Sequence, residues 1–355
     1  MLPSIAMAKR KQSGTKSVLL KRILLIVGCL LAGALVYISY RVFGPNTRAF
    51  GDNKYFYVRT GSTYNDVLEG LREQGIVRNT NSFNWVAKEL GYPSRVKAGR
   101  YKISPGMSNF DIVKLLRSGR QSPVDLVINK IRTKQDFIHK IGVNLEADST
   151  TLAAMLRDQV YLRQFGLDSN TVMCAVLPNT YEFYWNTSAD AVFRKLEKAR
   201  AAFWTDERKA KAKALDLTPI QVTIIASIVE EETNKNDEKP LIASVYINRY
   251  RKGMRLQADP TVKFALQDFG LKRIREVHTQ YESPYNTYRV AGLPPGPICT
   301  PSEKSINAVL NTPDTDYLYF CARADFSGYH AFAATYSEHL ENARKYQAEL
   351  NKRGF

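Results

Sequence analysis

Hydrophobic and polar positions divide the chain into three textures. Residues 23–40 (ILLIVGCLLAGALVYISY) form an uncharged apolar run, and roughly 18 such residues suffice to cross a bilayer's hydrocarbon layer as a helix. From residue 54 the texture becomes short and mixed. Residues 54–58 (KYFYV) read as a strand, and 63–74 as a helix with Val67 and Leu71 inward and Thr63 as its cap. Residues 82–90 read as a second short helix, and 99–103 (GRYKI) as another strand. Ser108-Asn109-Phe110-Asp111 is a capping-box variant opening a helix that reaches Ser118 and stops at Gly119. Residues 124–129 (VDLVIN) predict a strand, 133–141 and 151–157 predict helices, and 189–204 a long charged helix. Towards the end, 317–321 and 329–332 read as a hairpin around Asp325-Phe326-Ser327-Gly328, and 335–352 as a closing charged helix.

The third texture begins at Thr218-Pro219-Ile220-Gln221, where three helix-start signals agree: Thr as N-cap, Pro in the first helical position, and Gln where a capping box requires it. The helix continues through VTIIASIVEEETNK, and Val222, Ile224, Ile225, Ile228 and Val229 define its apolar face. With Ile225 as zero and about 100° per residue, Glu232 falls near −20°, inside the apolar arc, whereas Glu231 near −120° and Glu230 near +140° lie on or beyond its edge. A carboxyl projected into an apolar interior has its ionised form disfavoured, so it keeps its proton nearer neutrality. A general acid for glycoside cleavage has that requirement. The plain alternative is that the helix ends at Glu231 and that all three acids are solvated.

Charge places the chain. Six basic residues, Lys9, Arg10, Lys11, Lys16, Lys21 and Arg22, precede the apolar run, and only Arg41 lies between it and Gly44-Pro45. The positive-inside rule then keeps the tail in the cytoplasm and exports everything after Gly44. A cleavable signal peptide is the rival reading, but the run is longer than a typical apolar signal core and no small-x-small site follows it cleanly. The net charge of +17 suits an anionic polymer or lipid headgroups. Nucleic acid is not expected, since neither paired cysteines and histidines nor an RNP-like strand occurs. Cys29 lies in the apolar run; Cys174, Cys299 and Cys321 follow at spacings that fit neither a zinc site nor a disulfide framework. They read as small buried residues, with a Cys299–Cys321 bridge left open.

Five blocks then carry a resemblance. Ala226-Ser227-Ile228-Val229-Glu230-Glu231-Glu232-Thr233 is followed by Ala243-Ser244-Val245-Tyr246-Ile247-Asn248-Arg249 and by Met254-Arg255-Leu256-Gln257-Ala258-Asp259-Pro260-Thr261-Val262. Ser283-Pro284-Tyr285-Asn286-Thr287-Tyr288 and Gly292-Leu293-Pro294-Pro295-Gly296-Pro297-Ile298 complete the series. In order and spacing they resemble the endolytic murein transglycosylases, the MltG or YceG-like family, from about residue 177 to the C-terminus. The resemblance implies a lytic transglycosylase that cleaves between N-acetylmuramic acid and N-acetylglucosamine and leaves a 1,6-anhydro end. It points to Glu232, the glutamate followed by Thr, as the single acid and base, with no metal or other cofactor. A second essential carboxylate is not expected, although Asp259 is the challenger. Gln257, Asp259, Thr261, Tyr285, Asn286, Tyr288 and His330 are the candidate substrate-binding residues, each with a structural reading beside it: a turn, a rigid loop or a packed histidine. Leu177-Pro178-Asn179-Thr180-Tyr181 departs from the family's pattern by an amide in place of a carboxylate, which puts any ionic role there in doubt.

The expected architecture is α+β. It comprises a basic tail (1–22), a transmembrane helix (23–43), a small module (50–122), a linking α+β region (123–185) and a catalytic α+β domain (186–355). The module's strand–helix–helix–strand order resembles a LysM glycan-binding module and equally fits a generic α+β spacer. The expected setting is the inner membrane with the catalytic domain in the periplasm, and the expected partners are glycan strands and, from the resemblance alone, peptidoglycan synthases. A muramidase that adds water and a non-catalytic peptidoglycan-binding scaffold are the other readings.

Overall fold

The computed structural model describes residues 12–48, 50 and 52–353, so the first half of the basic tail lies outside the described residues. The chain forms two compact units that divide between Pro123 and Val124. Both mix helices with short antiparallel strands.

The first unit starts with helix α1 (Gln12–Phe43). Its stretch Ser17–Phe43 contains an 18-residue window with a mean hydropathy of 2.4 that the rest of the protein leaves uncovered, and is long and apolar enough to cross a membrane. The helix begins before the apolar run, at Gln12. Beyond it come β1 (Lys54–Val58), α2 (Tyr64–Glu73), α3 (Thr80–Glu89), β2 (Gly99–Ile103) and α4 (Asn109–Ser118). Strands β1 and β2 pair antiparallel with Lys54 opposite Ile103 and Val58 opposite Gly99. Thr63 and Ser108 both close full capping boxes, and Gly119 ends α4 in the left-handed conformation. Phe56, Leu71, Phe83, Tyr101 and Leu116 fill the core. The end of α1 is tied into this unit: Asn109, itself buried, donates its Nδ2 to the Arg41 carbonyl at 2.9 Å, and Asn46 donates to the Asn109 side-chain oxygen at 2.6 Å.

The second unit has two hydrophobic cores. The first spans residues 124–196 and consists of β3 (Val124–Ile128), α5 (Lys134–Asn144), α6 (Ser149–Met155), α7 (Gln159–Arg163), a 3-10 turn (Val172–Ala175), β4 (Asn179–Phe183) and α8 (Ala189–Phe203). Helix α6 starts two residues before the sequence expectation because Asp148 caps it, accepting from the backbone of Thr150 and Thr151. Strand β4 pairs antiparallel with β3, Ile128 opposite Asn179, and Asn179 lies exposed on it. The second core gathers around α10 (Pro219–Glu232), with α9 (Asp206–Ala214), α11 (Lys239–Arg251), α12 (Asp259–Leu266) and α14 (Glu303–Leu310); the short α13 (Glu276–Thr279) buries no residue. Strands β5 (Tyr319–Ala322) and β6 (His330–Ala333) form the expected hairpin, and α15 (Tyr336–Lys352) closes the chain from a Thr335 capping box.

Helix α10 departs from its expected amphipathic form. Every residue from Val222 to Val229 is buried, as befits a helix that is apolar on all sides and sits inside a core. Its middle is held by the loop before α14: Ile298 N donates to Ser227 Oγ at 3.0 Å, and the Cys299 thiol meets the Ser227 carbonyl at 3.4 Å. The possible bridge between Cys299 and Cys321 does not form. Cys299 is committed beneath α10, Cys321 stands on the β5–β6 hairpin, and both are free thiols.

The same loop passes so close to the first core that a Cβ on Gly296 would stand 2.0 Å from the Asn170 carbonyl oxygen. Overfilling a packed contact costs about 1–3 kcal/mol, and backbone cannot step aside as a flexible side chain would. Gly296→Ala is therefore expected to lower the urea midpoint of the chain from Phe50 onward by an amount equivalent to about 2 kcal/mol; an unchanged midpoint would show that the loop can retreat.

Candidate active site

The last turn of α10 delivers three successive carboxyls to three different surroundings. Glu230 meets Lys239 Nζ at 3.1 Å and accepts from the hydroxyls of Ser302 (2.7 Å) and Ser305. Burial works against its charge, yet these hydrogen bonds and the ammonium outweigh it and hold its pKa below the ordinary carboxylate value. Glu231 takes Lys130 at 3.0 Å and a two-pronged Arg132 at 3.0 and 2.9 Å. Burial is again overcome, by the guanidinium and the ammonium, and its pKa is also lowered. Neither acid is the solvated edge residue that helix geometry suggests.

Among the described residues Glu232 has no such ion pair. Tyr246 Oη donates to its Oε1 at 2.5 Å. Burial pushes its pKa up to about 7; the Tyr246 hydrogen bond opposes this, the nearby Asp259 carboxyl reinforces it and the charge of Lys263 only moderates it. Position adds to the effect, since the C-terminal end of a helix disfavours negative charge. Tyr246 keeps its own proton, its pKa raised by burial and by the adjoining carboxyl.

Glu232 opens onto a cavity of about 290 Å³. Tyr246, Arg249, Gln257, Asp259 and Tyr288 line it together with Phe320, Cys321 and His330 of the hairpin. Tyr288 Oη donates to Asp259 Oδ1 at 2.6 Å. Arg249, nearly buried, spends its guanidinium on carbonyls, Leu318 at 2.6 Å and Leu256 at 2.8 Å, and on Gln257 Oε1 at 3.2 Å. Gln257 has φ 52°, a left-handed conformation uncommon for a residue with a Cβ. Its N–H to the Thr287 carbonyl at 3.1 Å holds it there. The buried Glu238 receives the His330 backbone N–H at 2.6 Å and lies 2.8 Å from His330 Nδ1.

Gln257, Asp259, Tyr288 and His330 thus come together with Glu232. The remaining three sequence candidates stand behind the wall. Thr261 is buried, donating to the Ala258 carbonyl at 2.6 Å and paired with Thr287 Oγ1 at 2.8 Å. Asn286, wholly buried, ties its amide to the Thr279 and Tyr281 carbonyls and accepts from Tyr288 N. The Tyr285 ring packs 4.7 Å from Phe264. Sequence reasoning gave no role to Tyr246 and Arg249, which reach the cavity from α11; their three-residue spacing on one helix face was the available signal. Among the described residues no cluster of His, Cys, Asp or Glu is arranged to hold a metal.

Comparison with known proteins identifies the family. The model of the YceG-like family matches residues 56–345. An endolytic murein transglycosylase of Bacillus subtilis is 27% identical over 314 residues, 83% of this chain and 85% of that protein. The enzyme of the same name from Streptococcus pneumoniae is 27% identical over 338 residues, 84% of this chain, which spans 60% of the pneumococcal protein. The crystal structure of a yceG-like protein from Listeria monocytogenes superposes with a TM-score of 0.53 at 27% identity, covering 82% of this chain and 99% of that one.

The raised pKa has a thermodynamic signature. Below pH 4.5, the ordinary value, Glu232 is neutral whether folded or unfolded; above it the unfolded carboxyl ionises first, and stability is lost until the folded group ionises near 7. The loss amounts to about 3 kcal/mol at 1.36 kcal/mol per unit. Glu232→Gln, which still accepts from Tyr246, should therefore gain stability over the parent at pH 8 but not at pH 4 in paired urea titrations. A difference independent of pH would mean the carboxyl is not held in its neutral form.

Proposed function

The chain belongs to the YceG-like family, and on that premise we propose that it is a membrane-anchored lytic transglycosylase that cuts peptidoglycan glycan strands, with Glu232 as the one proton donor and acceptor. The observation that carries this reading is the contrast within the glutamate triplet. Two carboxyls are neutralised by cations in place, whereas Glu232 faces a cavity with a pKa of about 7 and is hydrogen-bonded by a phenol in place of a cation.

The chemistry follows from that state. With Oε1 occupied by Tyr246, the proton rides on Oε2 and is given to the oxygen linking N-acetylmuramic acid to N-acetylglucosamine, and the C1–O bond breaks. The sugar's own N-acetyl oxygen attacks C1, as in substrate-assisted glycosidases. The C6 hydroxyl then displaces it, closing the 1,6-anhydro ring, and the Glu232 carboxylate takes the C6 proton. No water is consumed. Asp259 with Tyr288, and His330, supply hydrogen-bonding groups for sugar hydroxyls and acetamides, and Phe320 offers an aromatic face.

The setting we infer is the outer face of the inner membrane, where α1 would anchor the enzyme and cutting would set the length of nascent strands beside the synthases that extrude them. The first unit's β1–α2–α3–β2 order supports a LysM-like contribution to holding glycan. Asp259, in the same cavity as Glu232, favours one competing reading: a muramidase in which it activates water.

Product chemistry decides between them. Digestion of purified glycan by the chain from Phe50 onward should give anhydro ends; reducing ends would establish the muramidase, and intact strands a scaffold. Glu232→Gln should lower turnover by at least about 100-fold with the fold retained. Glu230→Gln, assayed below its lowered unfolding midpoint, should keep most of its activity; equal losses in the two would remove Glu232 from its role. Because the acid must be protonated, kcat should fall as pH rises through about 7. Asp259→Asn should cost less than about 10-fold, well short of a general-base loss of about 100-fold or more.

A further inference from the structure

A second cavity, about 550 Å³, lies in the first unit. Arg95, Lys97, Lys114 and Arg117 line it together with the apolar Leu90, Val96 and Phe110, and no carboxylate does. The ion pair described in this unit, Arg72 with Glu69, involves none of the four cations. Among the described residues, Lys97 alone of the four has a side-chain hydrogen bond, donating to the Ser118 carbonyl at 3.1 Å.

The cavity's position follows from one helix face. Phe110, Lys114 and Arg117 stand four and three residues apart on α4 and so share a side; Lys114 Nζ lies 5.9 Å from the Phe110 ring centre. That ring meets Phe43, the last residue of α1, at 5.4 Å. The stretch Ser17–Phe43 has 27 residues, about 40 Å of helix, which is the thickness of a bilayer with its headgroups. Its last two turns carry Tyr37, Tyr40 and Phe43, the aromatic belt typical of the membrane–water boundary. Phe110 is therefore held at headgroup level.

We propose that this cavity binds the phosphate-bearing headgroup of an anionic membrane phospholipid, with the phosphate among Arg95, Lys114 and Arg117 and the first acyl carbons against Phe110 and Val96. A neutral sugar chain would leave the cations without counter-charge and a carboxylate-bearing one would leave the apolar floor uncovered, whereas an anionic amphiphile satisfies both. The inference stands apart from glycan cutting and holds whichever reaction the second unit performs.

The test is binding of fluorescent phosphatidylglycerol by the full chain in neutral-detergent micelles. Saturable binding is expected, stronger than for phosphatidylcholine, falling with added salt, and weakened at least about tenfold in Lys114→Gln/Arg117→Gln, a loss that corresponds to removing two phosphate contacts. A control pair on α9, Lys209→Gln/Lys211→Gln, should bind like the parent, and an unchanged thermal midpoint shows the cavity variant folded. Equal affinity for the two lipids, or no salt dependence in the parent chain, would overturn the proposal. Displacement by millimolar inorganic phosphate would make it a free-anion site, and displacement by chitopentaose a sugar site; either result also overturns it.

Discussion

Three adjacent carboxyls at the C-terminal end of a buried helix are an electrostatic problem, and the architecture of the second unit is organised around its solution. The helix end repels negative charge and the apolar surroundings deny it water. Two of the acids are answered by cations from outside α10: Lys130 and Arg132, just before α5, and Lys239 at the start of α11. Helix α11 is the second organising element. Lys239 and Tyr246, seven residues apart, occupy one face and reach Glu230 and Glu232 respectively. Arg249, one further turn along, lines the same cavity, while Glu238 at the helix start holds the hairpin through His330.

Behind the cavity lies a layer of polar groups whose partners are all in place. Thr261, Thr287 and the Ala258 backbone bond one another, and Asn286 knits its own loop. Such networks rigidify when complete. Here they fix Asp259 at the start of α12 and Tyr288 at 2.6 Å from it, so the residues that face the cavity are aimed by residues that do not.

Much of the local structure could be read directly. Caps at Thr63, Ser108, Thr218 and Thr335 announce their helices, because a hydroxyl three residues ahead of an acid or amide is a short-range signal that packing rarely overrides. The distinct placement of Glu232 was legible too, but for an incomplete reason. Helix-face geometry separates it from Glu230 and Glu231 only if α10 has an exposed side, and it has almost none until its last turn. What separates them is the company each keeps. Arg132 lies 99 residues from Glu231 and Ser305 lies 75 from Glu230, distances at which no periodicity informs. Strand β4 was equally hidden, since its pairing with β3 is made across about 50 residues of intervening helices. Of the seven polar candidates, loop chemistry could not tell the four that face the cavity from the three that brace it, as hydrogen-bonding capacity is the same in both duties.

The bond from Asn109 to the last turn of α1 leaves no slack between the apolar helix and the folded unit that follows it. If the helix is inserted, the unit becomes a collar: it spins when the helix spins, tilts when it tilts, and stays at one height above the lipid. Diffusion of this part of the protein is then confined to a plane, and its search for anything it recognises is two-dimensional.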